Sequence, residues 1–284
     1  MLQKSPIKRI ADFDALRSIA ILYIVGFWHL CNYSEALSYF NNTHATLLLT
    51  LCILGLFAFV SGYLLSTRYS LNSKSTILNF YIGRFLRVYP LFVIALTAFL
   101  LFSWVTPACY LKSIFLLNML LDEPLRTLWF ISMIFILYMI TPLFLYHYSN
   151  KKTILLTFLL YVGFIAIHFK TSYIDLRLPQ YLIPFSAGII TARSASLYTI
   201  LKKKYVAGAS FFIFFMVVLS IYPLENELTQ LIVIDVAALA SLPSFIFLAQ
   251  NLIKILPPPP PPRCYGLLHI PVIVFIFSID YLTL

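Results

Sequence analysis

Charge is scarce in this chain: Asp, Glu, Lys and Arg make up 11% of its 284 residues, where a soluble domain carries about 25%. With 61% of the residues hydrophobic, there is too little polar surface to cover a water-soluble globule, and that class is excluded. Cysteine is sparse as well. Cys31, Cys52, Cys109 and Cys264 stand singly, with no CxxC pair and no paired His spacing, so neither a disulfide framework nor a metal site is signalled. No internal repeat is evident, which removes the main sequence support for an inverted-repeat transporter. The start, MLQKSPIKRIADFDALR, has no small-residue cleavage site and runs on through Asp12, Asp14 and Arg17, so it is read as leading into a retained first helix. No lipidation motif appears. The net charge of +10 does not point to nucleic acid either, because Lys and Arg are dispersed between apolar runs and form no basic domain.

What the chain does have is long apolar runs. Stretches of adequate length predict spans near 12–33, 47–66, 88–106, 127–147, 153–169, 181–192, 205–222, 229–249 and 266–284, since about 20 apolar residues cross a bilayer. The expected fold is therefore an all-α polytopic transmembrane helix bundle of about nine spans, forming one domain over 1–284. The segment 111–121 is apolar but too brief to span, and is expected to lie at the interface or to re-enter.

Nine spans starting on the cytoplasmic side assign a side to every connection. Fifteen basic residues then fall inside, among them Arg68, Arg84, Arg87, Lys151, Lys152 and Lys202 to Lys204. Four fall outside: Lys112, Arg126, Lys170 and Arg177. That asymmetry predicts a multi-pass protein of the plasma (inner) membrane with a cytoplasmic amino terminus. Residues 257–262 are six consecutive prolines. They read either as a stiff polyproline II spacer before the last span or as the product of a homopolymeric coding tract prone to frame slippage.

Ionisable residues inside a span are expensive and mark function by default. At 100° per residue, with Asp14 at zero, Arg17 falls at about −60°, Ser18 at +40°, His29 at +60° and Asn32 at 0°. One arc of the first helix is thus polar through its depth, with Asp14 and His29 about 22 Å apart along the axis. Asp14 and Arg17 sit at i, i+3 and neutralise each other. His29 has no local partner in the sequence, and taken alone it reads as readily as a packing residue as a catalyst.

Four motifs carry a family resemblance. FDALRSIAILYIVGFWHL (13–30), GLFAFVSGYLLSTRYS (55–70), NFYIGRFLRVYPLFVIAL (79–96) and LWFISMIFILYMITPLF (128–144) resemble, in order, the first four conserved segments of the membrane acyltransferase-3 family. CYGLLHIPV (264–272) is similar to that family's last conserved helix, shortened by two residues. The resemblance implies about ten spans and O-acylation of a cell-envelope sugar, such as lipopolysaccharide or another polysaccharide. It implies an acyl group, by default acetyl, taken from cytosolic acyl-CoA, with membrane lipid as surroundings and no permanently bound cofactor.

Acyl transfer to a hydroxyl needs a base within reach of that hydroxyl, and imidazole is the usual one near neutral pH. The resemblance makes His29 the base, with Arg17 lining the acyl passage and Asp14 holding it. Arg84 and Arg87, carried over from the family's basic loop, would pair with the CoA phosphates. Ser61 and Gly62 are read as small residues for close helix approach, and Trp129 as part of the outer aromatic belt. His44, His147 and His168 are read as solvated, and His269 matches the family's terminal His. Two other readings stay open: a secondary transporter or translocator of a lipid-linked sugar, and an inactive truncated member, since the chain stops at Leu284 within an apolar run.

Overall fold

A computed structural model describes residues 11–29, 43–121, 125, 128–220 and 226–255. The proline run, Cys31, Asn32, Cys264, His269, Arg126 and the expected span 266–284 lie outside the described residues, as do the side chains of Asp14 and His29. Among the described residues every regular element is helical, as a bilayer demands of a chain that must satisfy its own backbone. Among the described residues four helices are long and apolar enough to cross a membrane, and the protein is a helical membrane bundle.

The chain divides into two compact units, one of Met1–Arg68 with Ala187–Pro261, the other of Tyr69–Ser186 with Pro262–Leu284. In the first, α1 (Ala11–Tyr23) runs into a π-helical segment, Ile24–His29. Then come α2 (His44–Arg68) and, after the second unit, the end of α7 (Arg177–Arg193), α8 (Ala195–Leu201), α9 (Lys204–Ser220) and α10 (Glu227–Ile255). Phe13, Leu16, Ala20 and Ile24 are buried at helical spacing. The first two pack with Phe59, Val60, Tyr63, Leu242 and Ile246 from α2 and α10. Between α9 and α10 the contact is polar: Ser210 donates to the Ala240 carbonyl and pairs with Ser244 at 2.8 Å, and Ser244 reaches the Ala207 carbonyl at 3.0 Å. Such hydroxyl links hold helices together where both sides are apolar. Near Gly188 of α7 the approach to α2 is closer still: a Cβ there would lie 2.1 Å from the Phe59 carbonyl oxygen.

The second unit holds α3 (Lys74–Leu101), α4 (Pro107–Ile114), α5 (Trp129–Leu145), α6 (Asn150–Thr171) and the start of α7. α3 begins far earlier than the expected span at 88. A Ser73–Thr76 capping box starts it, its basic residues are compatible with a helix, and Pro90 is accommodated inside. Arg84 and Arg87 are thus helical and do not sit on a loop. The brief segment after 106 is α4 followed by turns, tied to α3 by Tyr89 Oη donating to the Ile114 carbonyl at 3.0 Å and by Thr97 with Tyr110 at 3.1 Å. Most of the apolar side chains of α6 are exposed among the described residues.

Candidate active site

In the first unit, α1 places Asp14 and Arg17 one turn apart. The buried face is the apolar one of Phe13, Leu16 and Ala20, gripped by rings: Phe13 lies 4.4 Å from Tyr63 and 6.0 Å from Tyr198 between centroids. Arg17 is half-buried at the edge of that face and Ser18 is exposed. Arg17 and Ser18 therefore lie beside the packed face and not within it, because aromatic rings from α2 and α8 and aliphatic side chains from α10 pack against Phe13 and Leu16. Beyond Tyr23 the helix changes register. Residues Ile24–His29 are π-helical, with i→i+5 bonding that widens the turn, so the 100° step stops at Tyr23 and the +60° azimuth expected for His29 does not carry over. Single π-turns inside helices gather at functional sites. Tyr23 anchors the junction, its hydroxyl 3.2 Å from Thr50 Oγ1 on α2.

The second unit builds a cation site from the basic segment. Arg84 is only 8% exposed, on a turn of α3 that also buries Phe80. Its guanidinium carbon lies 5.3 Å from the Tyr69 ring, 5.8 Å from Phe80 and 5.4 Å from Tyr138, and one terminal nitrogen donates to Tyr69 Oη at 3.3 Å. Aromatic faces stabilise a desolvated guanidinium by about 2 kcal/mol. Arg84 Nε is buried and makes no hydrogen bond among the described residues. Arg87, three residues on, is exposed. The two arginines thus differ: one is a buried donor caged by rings and the other an exposed surface charge. A buried guanidinium with such an N–H can donate a charge-assisted hydrogen bond to an anion.

One ionisable residue escaped the sequence reading. Asp235 on α10 is 4% exposed, in a helix face shared with Leu231, Ala238 and Leu242. It stands six residues inside the span expected at 229–249, and the rule that flagged the first helix applies to it equally. Among the histidines, His44 and His147 are exposed, while His168 is half-buried with Nδ1 bonded to the Ile174 carbonyl. Trp129 is held from one side by Arg177, whose guanidinium carbon lies 4.3 Å from the ring centre.

The comparison with family models is decisive here: a model described as an acyltransferase domain, of the acyltransferase-3 family, matches residues 10–257. The chain belongs to the acyltransferase-3 family. It is accordingly a membrane acyltransferase. The match covers both units, including α1 with Asp14, Arg17 and His29, the helix carrying Arg84 and Arg87, and α10 with Asp235. No curated protein and no solved structure matches this acyltransferase.

Proposed function

We propose that this acyltransferase moves an acyl group, acetyl in the simplest case, from cytosolic acyl-CoA to a hydroxyl of a cell-envelope sugar. The observation that carries the donor half is Arg84: a caged guanidinium with an unused N–H, three residues from the exposed Arg87, fits the phosphates of CoA. In the same unit Lys151 and Lys152 stand at the start of α6. In the other unit Arg68, Lys202 to Lys204 and Lys254 gather at helix ends. Their clustering supports a cytoplasmic placement of those ends, in the plasma (inner) membrane.

His29 is the proposed base. Its imidazole takes the proton of the acceptor hydroxyl as that oxygen attacks the thioester carbonyl, and the tetrahedral intermediate collapses with loss of the CoA thiolate, which receives the proton from the imidazolium. Arg17 lines the passage and Asp14 holds it. Asp235, a carboxylate in the same unit as His29, adds a negative group that favours the imidazolium formed during the reaction.

The test is transfer of radiolabelled acetyl from acetyl-CoA to envelope polysaccharide in membranes holding wild type or His29→Ala at matched protein levels. Label is expected with wild type and a loss of about 10²–10⁴-fold with the variant. Transfer by His29→Ala at the wild-type rate would remove His29 as base, and no transfer by wild type from any acyl-CoA would remove the reading.

A further inference from the structure

Six cations gather where α2 ends in the first unit. Arg68 and Lys254 stand in the last turns of α2 and α10, Arg193 closes α7, and Lys202, Lys203 and Lys204 run from the end of α8 into α9.

Side-chain contacts bring these helix ends together. Arg193 Nε donates to Ser66 Oγ at 3.0 Å, two residues before Arg68. The Lys202 ammonium lies 4.4 Å from the centre of the Tyr198 ring, and that ring lies 5.6 Å from Tyr63, one turn before Ser66 on α2. Tyr198 and Leu201 also pack against the cluster that buries Ala249, five residues before Lys254. Arg68, Arg193, Lys203, Lys204 and Lys254 are all exposed.

Like charges held close repel one another, and membrane orientation alone does not require them to be grouped, since it depends on how many cations lie on each side. The acids of this unit offset them little. Among the side chains described these are Glu227 and Asp235, both in the first third of α10, far along that helix from Lys254. Asp12 and Asp14, which flank Phe13, are matched in the sequence by Lys8 and Arg9.

Beside the cations the surface turns apolar. Tyr205, Phe212 and Met216 are exposed and share one face of α9, at i, i+7 and i+11. Lys203 Nζ lies 5.6 Å from the centre of the Tyr205 ring, so the charged end and the apolar stripe meet at one residue. A stripe headed by cations complements a phospholipid, with phosphate at the charges and an acyl chain along the rings. A zwitterionic headgroup brings its own cation to the cluster, whereas an anionic one does not.

We infer that this end of the first unit holds an anionic phospholipid, its phosphate among Arg193, Lys202, Lys203 and Lys204 and an acyl chain along the Tyr205–Met216 face of α9. The site goes beyond the proposed acyl transfer and rests on neither its donor nor its acceptor.

The full chain in an uncharged detergent would be unfolded thermally while phosphatidylglycerol or phosphatidylcholine is added. Phosphatidylglycerol is expected to reach half of its full effect on Tm at a concentration about tenfold or more lower, by a margin that shrinks with salt. Lys203→Gln combined with Lys204→Gln, both at exposed positions, should keep the lipid-free Tm and weaken phosphatidylglycerol by about fivefold for each cation lost. Lys74→Gln combined with Lys170→Gln removes the same charge from exposed positions of the other unit and should change that affinity by less than about twofold. Equal half-effect concentrations for the two lipids, or equal losses in the two double variants, would overturn the site. So would an equal effect of glycerol phosphate, which would make the ligand a soluble phosphate. Excess CoA should leave the phosphatidylglycerol titration unchanged; displacement by CoA would give the cluster to the acyl donor and overturn the lipid.

Discussion

The sharpest test of the packing is one substitution made at two glycines with opposite expected signs. Gly188 and Gly208 both lie inside helices, α7 and α9, where Ala is favoured over Gly by roughly 0.8–1 kcal/mol. At Gly208 a new Cβ meets nothing within 4 Å, so Gly208→Ala is expected to stabilise by about 0.5–1 kcal/mol. At Gly188 the Cβ would stand 2.1 Å from the Phe59 carbonyl oxygen and 2.8 Å from the Tyr63 nitrogen. Both are backbone atoms of α2, and neither can swing aside. Close C···O contacts settle near 3.3–3.6 Å, so the helices must part by about 1.2 Å or more. A gap of that size forfeits up to about half of the dispersion energy along the contact, and Phe59 and Tyr63 lie in the cluster that also buries Phe13 of α1. With the usual overpacking penalty, Gly188→Ala should lose about 2–3 kcal/mol net, a fall in Tm of about 5–10 °C. Thermal unfolding in detergent, followed by far-UV circular dichroism, reads both variants. If Gly188→Ala unfolds at or above the wild-type temperature, the close approach of α7 to α2 is wrong.

Other outcomes follow from single groups. Arg84→Lys keeps the charge but loses the planar guanidinium between three rings and its Nε; KM for acetyl-CoA is expected to rise about tenfold or more, while Arg87→Lys, at an exposed position, changes it little. Arg87→Ala should raise KM in a way that shrinks with added salt, since an exposed charge is screened. Asp235→Asn, nearly isosteric, is expected to leave expression and Tm close to wild type and to lower kcat at least about tenfold; wild-type kcat in this variant would make Asp235 a packing residue.

The helical bundle was legible because length and apolarity are enough to find a span. α2, α6 and α10 lie where their apolar runs predict, and even the short run at 181–192 proves to be α7. The start of α3 was not legible. Hydropathy sees the basic residues Arg84 and Arg87 as a connection, whereas the Ser73 cap and an unbroken run of helix-compatible residues carry the helix through them. The azimuth of His29 was hidden for a related reason, since nothing in IVGFWH distinguishes π from α bonding. The difference between Arg84 and Arg87 was also invisible, because it depends on Tyr138, a residue far away in sequence that supplies one wall of the cage. Asp235 is the opposite case: an acid within the span expected at 229–249 is visible in the sequence, though its burial among Leu231, Ala238 and Leu242 is not.

The Arg84 cage carries a thermodynamic consequence of its own. Leaving a charged donor buried and unmet costs about 1–3 kcal/mol or more, and three rings return about 2 kcal/mol of that, so the cage by itself is near balance and holds little surplus stability. An anion that reaches Nε adds a charge-assisted bond without any further burial of the cation. The donor should therefore stabilise the protein by more than a generic surface ligand does: about 2.7 kcal/mol at a hundredfold excess over Kd, read as a rise in Tm of about 5–10 °C with CoA. In Arg84→Met the cage becomes wholly apolar, the ligand-free Tm should hold or rise, and the rise with CoA should vanish. A CoA-induced shift of wild-type size in Arg84→Met would place the phosphates elsewhere, with the exposed Arg87 and the lysines at the start of α6 as further basic groups of that unit.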